Sequence, residues 1–121
     1  IHNSAAFVKD GGTLIIFAEC IDNIGSQTFL PWYEKGGFPG AFKALEKKYE
    51  GNGGTALAMM TKTQRIKIML VSKLDSSLCS QLSVQKCKTA EVQKFLSNSK
   101  GETAWIPNAS LLVRRTETTQ A

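Results

Sequence analysis

Val8-Lys9-Asp10-Gly11-Gly12-Thr13-Leu14-Ile15-Ile16-Phe17-Ala18-Glu19-Cys20 carries the clearest succession of helix, turn and strand signals in the chain. Its centre, Thr13 to Ala18, is short, β-branched and aromatic, and apolar at successive positions. Side chains alternate between the two sides of an extended chain, so a continuous apolar run predicts an interior strand of a sheet covered on both faces. Ahead of it, Ala5, Ala6 and Val8 read as the end of a helix. Asp10-Gly11-Gly12 then supplies the turn, because glycine tolerates the backbone conformations that terminate helices. Behind it, Glu19 to Ser26 is a loop dense in polar and turn-forming residues.

Further along, Ser26 is placed to cap a helix with Phe29, Leu30, Trp32 and Tyr33 on its apolar face. Gly36-Gly37 ends that segment, and Pro39 suits the first position of the next helix. There Phe38, Phe42, Leu45 and Tyr49 recur at spacings of four, three and four, which puts them on one stripe. Gly51-Asn52-Gly53-Gly54 breaks the pattern, and Thr55 to Thr63 reads as a short helix with Leu57, Met59 and Met60 partly buried. Residues Arg65 to Leu74 are the second strand. Asp75 can cap a helix through Leu82, and Thr89 another that carries Val92, Phe95 and Leu96 inward. Thr103 to Ile106 and Leu111 to Val113 are expected as brief strands around a turn at Pro107-Asn108, with a polar tail at residues 116–121. The expected fold class is α/β, a three-layer sandwich with a small, mostly parallel sheet and helices on both faces. One edge could be antiparallel.

Bulk composition fits this picture. A chain of 121 residues with 42% hydrophobic and 21% charged residues suits one ordinary globular domain, expected over residues 1–115. No apolar run approaches the roughly 20 residues that a membrane helix needs, so no membrane partner is expected. The formal net charge of +5 is spread along the chain without interleaved aromatics, which argues for a solvated basic surface and against nucleic acid. Cys20, Cys79 and Cys87 have no CxxC spacing and, with the single His2, make no recognisable metal set. Reduced thiols and a cytoplasmic location are the expectation. The first residue, Ile1, falls inside a predicted helix, so a domain excised from a longer protein is expected.

Chemistry in open α/β sheets collects beyond the carboxyl ends of the strands. That singles out the Glu19-to-Ser26 loop, with Glu19, Cys20, Ile24, Gly25 and Ser26 as candidate substrate- or cofactor-facing residues. Its acidic groups could orient a substrate, and the amides at Gly25-Ser26 could meet an anion at a helix start. A connecting loop whose Asp and Asn stabilise its own turns explains the composition equally well. Cys20 has no neighbouring His to generate a thiolate and reads as passive. Gly51 to Gly54 precedes a helix but matches neither GxxxxGK[ST] nor GxGxxG.

The run from Val8 to Cys20, followed by Ile24-Gly25-Ser26 and Phe29, closely resembles the C-terminal domain of the nickel-dependent lactate racemases, which carry a similar VKPGGTIIFVAEC…GIG…F segment. The likeness continues through Gly53-Gly54-Thr55-Ala56-Leu57-Ala58 and through Ile68-Met69-Leu70-Val71-Ser72-Lys73-Leu74. The resemblance implies a two-domain enzyme that racemises or epimerises a small 2-hydroxyacid by hydride transfer to a nickel-pincer nucleotide. It implies that the cofactor, its tethering lysine and the working histidines belong to an N-terminal domain. On that reading this chain holds no catalytic residue, no metal and no cofactor of its own, and its partner is that other domain. The family often has a Trp or His near the helix after the glycine stretch, where this chain has Asn52, Gly53 and Gly54. Two other readings compete. VKDGGTLII also looks like a late strand of methyltransferases that use S-adenosylmethionine, although no glycine-rich cofactor loop accompanies it. The third is a non-catalytic interaction module.

Overall fold

A computed structural model describes residues 1–109 of the chain. Within them Thr13–Phe17 (β1), Lys67–Val71 (β2) and Gln85–Lys86 (β3) form one parallel sheet in the order β1-β2-β3. Thr13 lies opposite Lys67 and Phe17 opposite Val71. Five α-helices accompany the sheet: His2–Ala5 (α1), Gly37–Lys47 (α2), Gly53–Arg65 (α3), Ser76–Gln81 (α4) and Thr89–Asn98 (α5). A short 3₁₀ helix spans Leu30–Glu34. The fold is a small α/β sandwich, and the mostly parallel sheet is as expected.

Alternation along the strands sorts the side chains between two layers. Leu14, Ile16, Ile68, Leu70 and Val84 pack with Ala5, Val8, Met59, Cys79 and Leu82 from α1, α3 and α4. Ile15, Met69, Val71 and Cys87 point the other way, against Val92 and Phe95 of α5. Helical segments therefore cover both faces. Outside α3 a second apolar cluster joins Trp32, Ala41, Ala56, Leu57 and Met60, so the 3₁₀ helix and α2 form a further layer on that side.

Local chemistry explains most element ends. Gly36 and Gly37 take positive φ angles of 89° and 72°, which separates the 3₁₀ helix from α2 at little steric cost. Asp75 caps α4 by accepting the Ser77 N–H at 3.4 Å, as expected. The Arg65 guanidinium at the end of α3 donates to the Val8 and Ala5 carbonyls, both at 2.6 Å, and to Asp10 at 3.1 Å. One side chain thereby fixes the segment that leads into β1.

Several expectations need correction. β1 is an edge of the described sheet and only half-buried, whereas β2 is the interior strand. An apolar run reports two covered faces but not which neighbours lie beside the strand. Ser26 caps no helix: the following segment is a short 3₁₀ turn whose preceding residue is Phe29, and the Ser26 hydroxyl is engaged with Thr28 and Asn52 instead. Pro39 sits third in α2, still in the first turn where its missing N–H is not needed. Tyr49 lies beyond the end of α2 and is exposed, so the inner stripe runs through Phe38, Ala41, Ala44 and Leu45. The helix after the glycines is longer than expected at both ends, and Lys88, not Thr89, precedes α5. Thr103 to Ile106 pairs with no strand among the described residues. That stretch is four residues long and runs into Pro107, which has no N–H for a ladder. Leu111 to Val113, the boundary at 115 and the tail at 116–121 lie outside the described residues.

Candidate functional site

Parallel strands bring their carboxyl ends to one edge, and here that edge is closed by two connected loops. The ladder continues past β1 as the Ala18 N–H donates to the Val71 carbonyl at 3.1 Å. The Glu19 carbonyl then accepts from the Lys73 N–H at 3.1 Å and from the Ser72 hydroxyl at 3.0 Å. The Glu19 carboxylate pairs with the Lys73 ammonium at 3.4 Å, both side chains being well exposed. Glu19 therefore sits at the carboxyl edge of the sheet, held by the loop after β2. Neither Ser72 nor Lys73 stood out in the sequence, because the pairing joins residues 54 positions apart.

The rest of the loop is a run of turns. Cys20, Asn23 and Gly25 take positive φ angles of 54°, 55° and 78°. The Asn23 N–H donates to the Cys20 carbonyl and the Gly25 N–H to the Asp22 carbonyl, each at 3.1 Å. The amide of Gly25 is therefore engaged within the loop and no helix starts at Ser26, which removes the expected anion cradle there. Cys20 and Ile24 pack partly against the large apolar core and act as anchors for the loop. Of the five candidate residues, Glu19 keeps an exposed functional group at the edge, and Ser26 is tied into a polar latch. Asn52, just ahead of α3, donates through Nδ2 to Ser26 Oγ at 2.9 Å and to Thr28 Oγ1 at 2.5 Å. The latch spans 26 residues and has no local sequence signature.

Next to the loop lies an apolar patch. Phe17 at the end of β1 is 49% exposed, and Trp105, 77% exposed, meets its ring edge-on at a centroid distance of 6.2 Å. Ile21 in the loop is 69% exposed. The edge thus presents one paired carboxylate beside uncovered aromatic and aliphatic surface.

The thiols take no part. Burial pushes both Cys79 and Cys87 above the ordinary thiol range, so they stay protonated and pack as small apolar groups. Among the described residues no group of three His, Cys, Asp or Glu side chains is arranged to hold a metal ion. Among the same residues no helix is long and apolar enough to cross a membrane.

The fold is that of a small α/β domain with a parallel sheet. No family model and no curated protein matches the chain. Among solved structures, it is similar to the lactate racemase apoprotein from Thermoanaerobacterium thermosaccharolyticum, with a TM-score of 0.61 and 23% sequence identity. The likeness covers 78% of this chain and 24% of that one, so the chain spans about a quarter of its structural neighbour. At that identity the likeness is one of fold.

Proposed function

We propose that this chain is the C-terminal type of domain of a racemase or epimerase related to lactate racemase, acting on a small 2-hydroxyacid. The fold shared with the lactate racemase apoprotein carries this reading. The Val8-to-Cys20 segment supports it, since in this chain that segment forms β1 and the start of the edge loop.

A nickel-pincer nucleotide would supply the hydride chemistry of such an enzyme. The described residues do not fit a nickel centre: the chain has one histidine, and no metal-holding cluster occurs among them. No step is therefore assigned to this chain through that group. Its contribution would be to form one wall of the closed site. Phe17, Ile21 and Trp105 would lose water against the facing domain, which both drives closure and dries the reaction space. Glu19, held by Lys73, would stand at the rim of that wall.

The test is made on the protein that contains this chain, matured with the nickel-pincer cofactor and assayed for racemisation of lactate and other 2-hydroxyacids by chiral chromatography. Nickel-dependent conversion that falls when Ile21 is changed to Asp supports the proposal. No conversion, together with no cofactor retained, overturns it.

A further inference from the structure

At the opposite end of the sheet, where β2 and β3 begin, a groove of about 390 Å³ opens beneath the second half of α5. Its origin lies in the sequence. β3 has only two residues, and α5 presses Val92 onto Met69 and Cys87 near the middle of the sheet. One turn later Phe95 packs only partly, and the amino ends of the strands are left uncovered. Phe95, with the nearly buried Met69 behind it, forms an apolar floor, and Gln85 and Asn98 line the sides.

Two lysines line this groove. Lys67 Nζ lies 5.5 Å from the centre of the Phe95 ring, and Lys94 lines the same groove from α5. Neither pairs with a carboxylate among the described residues, whose ion pairs are Lys48–Glu50, Arg65–Asp10 and Lys73–Glu19. The carboxylate lining the groove, Glu91, is engaged with the Lys88 N–H at 3.2 Å. Two lysines against one carboxylate, beside an aromatic ring, match a small anion with a flat apolar body.

We propose that this groove binds an aromatic or similarly flat monocarboxylate, its carboxylate between Lys67 and Lys94 and its ring against Phe95 and Met69. The proposal is independent of the racemase reading, because the groove lies at the other end of the strands.

The experiment is a titration of the 15N-labelled chain with benzoate, followed by NMR, with benzamide and inorganic phosphate as separate probes. Saturable shifts centred on Lys67, Gln85, Lys94, Phe95 and Asn98 are expected for benzoate. Affinity should fall about five- to tenfold in the Lys67→Gln, Lys94→Gln double variant, and benzamide should bind correspondingly more weakly than benzoate. Both lysines are at the surface, and an unchanged unfolding midpoint will confirm that the variant folds. Equal binding of benzamide, tighter binding of phosphate alone, unaltered affinity in the double variant, or shifts centred elsewhere would each overturn the proposal.

Discussion

Ile68 and Met69 are neighbours on β2 with almost equal burial, 2% and 3% exposed, yet they face different environments. Ile68 points into the layer formed with α1, α3 and α4, where eight buried residues make one cluster. Met69 points toward α5, where among the described residues only Cys87 and Val92 are buried beside it and the groove opens along one side. Equal exposure therefore hides unequal packing. A cavity left among many fixed neighbours stays open, while one beside a loosely covered helix is partly refilled. Ile68→Ala is expected to lower stability by about 3–5 kcal/mol and Met69→Ala by about 2–3 kcal/mol, read from urea unfolding midpoints at constant slope. Equal losses would mean that α5 covers its face as firmly as the helices opposite.

Arg65 is the next lever on the same contrast, because it ties α3 to the turn before β1 without entering either core. Its guanidinium satisfies two backbone carbonyls and faces one exposed carboxylate. The carbonyl bonds are the part that counts, since they are partly buried and charge-assisted. Arg65→Gln is expected to lose about 2 kcal/mol, and the loss should persist at high salt because little of it comes from Asp10. A loss that vanished with added salt would assign the effect to the ion pair.

Where the sequence was readable, the signal was local. The apolar run expected as a strand from Thr13 to Ala18, the glycine breaks and the Asp75 cap all act within a few residues, and each appears in the structure, the strand ending one residue earlier at Phe17. Position within the sheet was not readable, because β1 and β2 are both apolar and only pairing separates edge from centre. β3 went unseen because two residues make no pattern. The candidate loop was placed correctly at the carboxyl edge, but Ser26 was given the wrong partner. Its hydroxyl meets Asn52 and Thr28, and nothing near Ser26 in sequence announces a residue 26 positions away. The Lys73 partner of Glu19 was hidden for the same reason.

Tyr33 sharpens the contrast from within the thick side. It packs against both apolar clusters there, and its hydroxyl is buried without a hydrogen-bond partner among the described residues. An unsatisfied buried hydroxyl lowers stability, so Tyr33→Phe is expected to raise it, by about 1 kcal/mol. Burial also pushes the phenol up to about 12. The folded state thus holds this proton more tightly than the unfolded chain, whose phenol titrates near pH ~10. The associated stability is fully present below that pH and fades as pH rises toward about 12. In Tyr33→Phe this part of the alkaline decline should disappear. A destabilised variant would show that the hydroxyl has a partner, and an unchanged alkaline limb would show that the folded state holds this proton no more tightly than the unfolded chain.

The smallest effect is expected at the edge loop, where stability and proposed use part company. Glu19 and Lys73 are both well exposed, and an exposed pair at 3.4 Å gains little that salt and water do not remove. The loop is held instead by the Glu19 carbonyl, which takes its bonds from Ser72 and Lys73 whatever the side chain at 19. Glu19→Gln is therefore expected to change the stability of the chain by less than about 0.5 kcal/mol, in low or high salt. In the protein that contains this chain the same variant should weaken turnover of a 2-hydroxyacid if the carboxylate lines the closed site. An unchanged fold with reduced kcat would locate the role of Glu19 in the facing surface. Unchanged kinetics would return Glu19 to the status of a solvated loop residue and leave the exposed Phe17, Ile21 and Trp105 as the part of this edge on which the proposed closure rests.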